Sequence, residues 1–310
     1  MLNHPVPNAL FGGVNAAVLT PMHTDLSVDL DRMAAHCRWL LAQGCNNLGI
    51  LGTTGEANSL GIEERIVLME GLVERGIDPA RLLPGTGTTA ITDTVALTRR
   101  ARALGCRGAL MLPPFFYKSP SDDGLFAYFS EVINRVGTGI PVFLYHFPQQ
   151  SAVPFTLDLI GRLLHAFPGT IKGVKDSSGD LANTSAMARE FAAEGFEVYC
   201  GDDGALLSML RQGGAGSITA ASNVNSAVGA RVYANWNNAD GDHAQETLTA
   251  TRRAVTSAPL IPGLKALMAR HTGNAAWNNM RPPHLRLSDQ AAAKLFAAFD
   301  ACGVTLAKET

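Results

Sequence analysis

Residues 171–180 read IKGVKDSSGD, a short apolar strand that ends in a polar turn. Strand side chains alternate, so Ile171, Gly173 and Lys175 share one face, while Lys172, Val174 and Asp176 share the other. Two readings are open. Either Lys175 points into the interior of a closed sheet, or it sits at a sheet edge, turned outward or paired with Asp176. Lys172 starts the strand on the opposite face and reads as an ordinary surface lysine.

The same plan recurs on both sides of this stretch. Strand candidates are VNAAVLTP (14–21), NNLGILG (46–52), RLLPGTG (81–87) and RGALMLPP (107–114), then IPVFLYHFP (140–148), FEVYCGDD (196–203) and AGSITAAS (215–222). Each is a short apolar run bounded by turn residues, as expected of strands buried on both faces. Amphipathic stretches lie between them; SVDLDRMAAHCRWLLAQG, for example, opens on a Ser/Asp cap and stops at Gly44. Eight strand–helix units within about 220 residues favour a (β/α)₈ TIM barrel over an open doubly wound sheet. From about residue 224 the pattern is helical only. The expected organisation is therefore a barrel over 1–223 and a C-terminal helical extension over 224–310.

Bulk properties narrow the function. The chain has 310 residues, 46% hydrophobic, 17% charged, with a net charge of −2. That balance has no bulk attraction for nucleic acid or an anionic membrane. No apolar run reaches the roughly 18 residues that a spanning helix needs. The opening stretch MLNHPVPNALFGG has two prolines and no basic segment before an apolar core, so it does not read as a secretion signal. Five scattered cysteines without a C-x-x-C spacing point to buried thiols in a reducing compartment, the cytoplasm. The eight histidines show no metal-ligand spacing, so neither a metal nor another cofactor is expected.

In a barrel of this kind the working residues lie at the carboxyl ends of the strands. Those ends read Thr20-Pro21, Gly52-Thr53-Thr54-Gly55-Glu56, Gly85-Thr86-Gly87, Pro114-Phe115-Phe116-Tyr117, Tyr145-His146-Phe147-Pro148, Lys175-Asp176-Ser177-Ser178, Gly201-Asp202-Asp203 and Ile218-Thr219. Hydroxyls, small residues and one lysine gather there. Burial of an amine favours its neutral form, and a neutral amine attacks a ketone to give a Schiff base. Tyr145, on the neighbouring strand, can carry a proton to or from the reacting oxygens, or can be a packed core tyrosine. GTTGE can offer amides and hydroxyls to a small carboxylate, or can be a turn before the helix at 61.

With GTTGE at 52–56, Tyr145 followed by Pro148, and Gly173-Val174-Lys175 in this order, the chain resembles the dihydrodipicolinate synthase / N-acetylneuraminate lyase family over nearly its whole length. The resemblance implies a class I, Schiff-base lyase or aldolase that joins pyruvate to a small aldehyde, or cleaves the resulting 2-oxo acid. It implies Lys175 as the imine-forming residue and Tyr145 as the proton shuttle. Thr53 and Thr54 would hold the carboxylate, with Thr54 in the proton relay. Ser177, Gly201 and Ile218 would line the pyruvate pocket. Tyr117, or Phe116 beside it, would reach a neighbouring subunit's site in a homotetramer built as a dimer of dimers.

Two departures bear on the second substrate. Dihydrodipicolinate synthases carry an arginine two residues after the fifth-strand proline, and here that residue is Gln150, which cannot supply the charge-assisted fork. The acidic pair of sialic acid lyases is matched by Asp203, but Gly204 stands where its second member would be. A 2-keto-3-deoxy sugar acid or another 4-hydroxy-2-oxo acid remains, by aldol cleavage or by dehydration. The lysine-pathway synthase and a non-catalytic ligand-binding barrel are the other readings. A dinucleotide-binding fold is suggested by GTGTTA (85–90), but the next strand ends in MLPP, without the required acid.

Overall fold

A computed structural model describes Val6 and residues 9–308; most of the stretch before Ala9, part of the segment read as no secretion signal, lies outside the described residues. The chain alternates strand and helix. It runs β1 (Gly13–Ala17), α1 (Leu30–Ala42), β2 (Asn47–Gly49), α2 (Ile62–Glu74), α3 (Ile91–Leu104), β3 (Ala109–Met111), α4 (Asp122–Val136) and β4 (Val142–His146). Then follow α5 (Pro148–Ser151), α6 (Leu157–Ala166), β5 (Ile171–Asp176), α7 (Leu181–Glu190), β6 (Glu197–Cys200), α8 (Leu206–Arg211), β7 (Gly216–Thr219) and α9 (Ser222–Ala234). The strands are parallel, in the order β2-β1-β7-β6-β5-β4-β3.

The gap between β2 and β3 is filled by the expected third strand. Leu82 bridges Leu48 and Gly85 bridges Leu110, and the Leu83, Gly85 and Thr86 amides donate to neighbours on both sides at 2.8–2.9 Å. Pro84 interrupts the run because it has no N–H to give to a ladder. These bridges close the seven strands into a (β/α)₈ barrel. Gly87, the second glycine of GTGTTA, is pressed against the Leu112 backbone: an added Cβ would lie 2.3 Å from its nitrogen. That stretch is a strand end packed into the barrel, with no room there for a phosphate.

Two apolar layers hold the fold. Strand residues such as Leu144, Val174 and Val198 face outward into the layer beneath the helices. The barrel interior is filled by Phe11, Phe143 and Tyr199, with the Phe143 ring edge-on to both others at 5.1 and 6.0 Å. After α9, which packs on β1 and spans the expected division at 223/224, come α10 (Ala239–Val255), α11 (Leu260–Thr272) and α12 (Asp289–Asp300). Among the described residues no helix is long and apolar enough to cross a membrane. All five cysteines are free thiols and four are buried.

Candidate active site

Lys175 is the fifth residue of β5 and faces the barrel interior, 5% exposed. Its strand register pairs it with Tyr145 of β4, as Gly173 pairs with Phe143. Gly173 is required by that packing: a Cβ there would stand 2.3 Å from the Glu197 carbonyl and 2.9 Å from the Phe143 ring. The interior below Lys175 is thus solid, and its amine can only point toward the open end. Asp176 turns to the other face. Its carboxylate accepts from the Ser178 amide and the Thr184 hydroxyl, both at 2.7 Å, so Lys175 and Asp176 do not pair.

The Lys175 amine instead donates to the Tyr145 hydroxyl at 3.2 Å and lies 4.3 Å over the same ring. The Thr53 hydroxyl is 3.5 Å from the Tyr145 oxygen. Burial pushes the Tyr145 phenol up, but the Lys175 charge and hydrogen bonds from Thr53, Lys175 and Ser177 more than reverse this and leave it below its ordinary value. A phenol so placed gives up and recovers a proton more readily.

Residues 52–56 form a turn over this pair. The Glu56 amide closes onto the Thr53 carbonyl at 3.1 Å, and the Thr20 hydroxyl donates to the Gly55 carbonyl at 2.8 Å. It is not the cap of α2, whose N-terminus is Gly61 with Glu64 reaching back to its amide. Thr53 and Thr54 line a cavity of about 590 Å³, together with Tyr145, Lys175, Ser177, Gly201 and Gln150. Gly201 accommodates the Ser177 side chain, whose Oγ would lie 2.0 Å from a Cβ at that position.

Two of the expected site residues lie elsewhere. Ile218 is fully buried in the barrel interior with Phe143 and Tyr199, below the cavity wall. Tyr117 is 79% exposed, edge-on to Phe116 at 5.3 Å, on the loop after β3 and outside the cavity. Other residues join the cavity without an obvious sequence signal. Arg252 arrives from α10, Pro259–Pro262 from the start of α11, and Pro283 and His284 from the segment before α12. Arg252 Nε is 3.4 Å from Asp202. On the β4 turn, burial lowers the His146 pKa despite Asp176 and Asp180, and its Nδ1 accepts the Phe155 amide at 3.0 Å, so it is a neutral ring. Among the described residues no His, Cys, Asp or Glu cluster has the arrangement of a metal site.

A buried amine against a phenol, under a hydroxyl-rich turn and facing a cavity, can form a carbinolamine with a 2-oxo acid and pass the protons of its collapse. The model of the dihydrodipicolinate synthetase family matches residues 10–302. An uncharacterized DapA-like lyase of Chloroflexus aurantiacus is 34% identical, over 93% of this chain and 96% of that one. The crystal structure of dihydrodipicolinate synthase from Agrobacterium tumefaciens superposes with a TM-score of 0.87 at 33% identity, over 94% of this chain and 99% of its own. A prophage protein of the same family from E. coli K12, solved with pyruvate, gives 0.87 at 27% identity, over 96% and 100%. The chain belongs to the dihydrodipicolinate synthetase family, and with it to the Schiff-base, pyruvate-dependent lyases.

Proposed function

We propose that this enzyme cleaves, or forms, a 4-hydroxy-2-oxo acid of the 2-keto-3-deoxy sugar acid class, with pyruvate as the constant half and an uncharged, hydroxylated aldehyde as the other. In the cleavage direction Lys175 attacks the C2 carbonyl, water leaves, and a protonated imine forms. Tyr145 takes the proton of the C4 hydroxyl. The C3–C4 bond breaks, the C4 oxygen's pair makes the departing aldehyde's carbonyl, and the pair of the broken bond flows from C3 into the imine to give an enamine. Protonation at C3 and hydrolysis return pyruvate and the free amine. Thr53 and Thr54 hold the carboxylate, and Ser177 and Gly201 bound the pyruvate end.

The observation that carries the substrate reading is the composition of the far cavity wall. Gln150 stands on α5, just after β4, and the Arg252 guanidinium is already met by Asp202 at 3.4 Å. Such a wall offers paired donors and acceptors to hydroxyl groups. A second carboxylate would have to displace Asp202 or lie beside it. The enzyme is expected to work in the cytoplasm, in keeping with its free thiols.

A second reading, condensation of pyruvate with a carboxylate-bearing aldehyde such as aspartate semialdehyde, is favoured by Arg252, a cation that the β4 turn lacks. A panel of 2-oxo acids, followed for pyruvate release and for loss of water, tests both readings beside pyruvate plus aspartate semialdehyde. Highest kcat/KM for pyruvate release from a 2-keto-3-deoxy sugar acid is expected. Faster loss of water would make the enzyme a dehydratase, and efficient condensation with the semialdehyde would overturn the neutral-aldehyde reading.

A further inference from the structure

The glutamate that ends GTTGE has no part in the chemistry above, yet it is 3% exposed and lies two residues from Thr54. Its backbone is left-handed, with φ at 55°. Leu51, on the other side of the turn, has the same φ of 55°. Two non-glycine residues in that region thus bracket Gly52-Thr53-Thr54-Gly55. Such residues persist only where their surroundings over-determine them. At Leu51 this is done by Gly85, which leaves room for the Leu51 carbonyl: a Cβ on Gly85 would lie 2.1 Å from that oxygen.

At Glu56 it is done by the C-terminal extension. The Lys265 amine of α11 forms an ion pair with the Glu56 carboxylate, and both side chains are 0% exposed. Lys265 also donates to the Asn279 carbonyl at 2.8 Å, and the Arg281 amide donates to the other Glu56 oxygen at 3.2 Å. A buried pair in this setting is a geometric constraint, because either charge left alone is strongly unfavourable. Lys265 lies one helical turn beyond Pro259–Pro262, which form the opposite wall of the cavity. Glu56 itself lines the cavity, so the pair joins the 52–56 turn to the α11 wall.

We propose that Lys265 is a positioning residue for the carboxylate-binding turn: acting through Glu56, it holds Thr53 and Thr54 in the conformation that receives the pyruvate carboxylate. The assignment of that turn rests on the functional reading above. The pair itself is a property of the fold. It gives the helical extension a part in substrate binding by a chain whose barrel carries the reacting residues.

The test uses the full chain as Lys265→Met and as the double variant Glu56→Gln/Lys265→Met, which removes both charges at nearly constant shape. The first readout is hydrogen exchange over residues 52–57. The second is the pyruvate concentration that half-saturates borohydride trapping on Lys175. Faster exchange confined to the turn and a tenfold or greater rise in half-saturation, with full labelling still reached, are expected in the double variant. Unchanged exchange and unchanged half-saturation in a folded double variant, with only a lower Tm, would overturn the proposal. If the wild-type enzyme is not labelled by pyruvate, the functional reading fails, and exchange over 52–57 alone decides the positioning role.

Discussion

The Lys175 amine lies 3.2 Å from the Tyr145 hydroxyl, on adjacent parallel strands in direct register. The nucleophile and the group that serves its protons are thus set by backbone pairing and not by loop conformation, which makes their geometry rigid.

Lys175 is expected to carry the imine. Incubation with pyruvate and borohydride should add the reduced adduct to the peptide that contains it, and Lys175→Ala should lose turnover with little change in Tm. Labelling of Lys172 would reassign the nucleophile. That residue is bound at the strand start to the Gly195 carbonyl at 3.1 Å, away from the cavity.

Tyr145→Phe should lower kcat by about 10²–10⁴-fold with a smaller effect on KM, because a proton carrier acts mainly in the transition state. Steady-state kinetics check this. A kcat near the wild-type value would leave Tyr145 as a packing residue, stacked on Phe147 at 5.8 Å.

Gly173→Ala should lower stability by about 1–3 kcal/mol, since the new methyl meets a carbonyl and an aromatic ring in a filled interior. It should also weaken pyruvate trapping, because β5 must shift to relieve the contact and Lys175 shifts with it. Thermal unfolding within about a degree of wild type would show that the strand gives way without cost.

Asp203 is fully buried, accepts from Thr219 at 2.6 Å, and has its pKa raised by burial from 3.8 to about 6, against the opposing pull of Arg252. The folded state therefore keeps a proton that the unfolded chain releases. This contribution is complete below pH 3.8 and is lost as pH rises through about 6. Asp203→Asn carries no charge at any pH. Its Tm relative to wild type should rise between pH 4 and pH 7, by the equivalent of at most about 3 kcal/mol. A difference that does not vary with pH would place the ordinary carboxylate pKa at this site.

Phe116 and Tyr117, 70% and 79% exposed on one loop, form an aromatic patch that a partner subunit would cover. A dimer or tetramer is expected by light scattering, and Tyr117→Ala should lower activity through the neighbouring site. A fully active monomer would remove both expectations.

The alternation of strand and helix, and the opposite strand faces of Lys175 and Lys172, were legible in the chain because both rest on local periodicity: residues two apart share a strand face whatever the rest of the protein does. Tyr145 near the end of β4 and Thr53 and Thr54 in the turn after β2 lie where the apolar runs mark out strand ends; Gln150, on α5, was singled out by the family resemblance alone. The third strand was legible as a place in the barrel, but Pro84 reduced it to bridges. Only the tertiary structure showed that Thr184 is the partner that occupies Asp176, because it lies on the following helix. It alone brought Arg252 and His284 to the cavity and set Lys265 against Glu56. Arg252 lies in the last turn of α10 and Lys265 within α11, and neither stands out in the sequence. Their roles depend on where the extension docks, and docking is decided by the apolar surface buried between distant segments, which leaves no local pattern at the residues that it brings together.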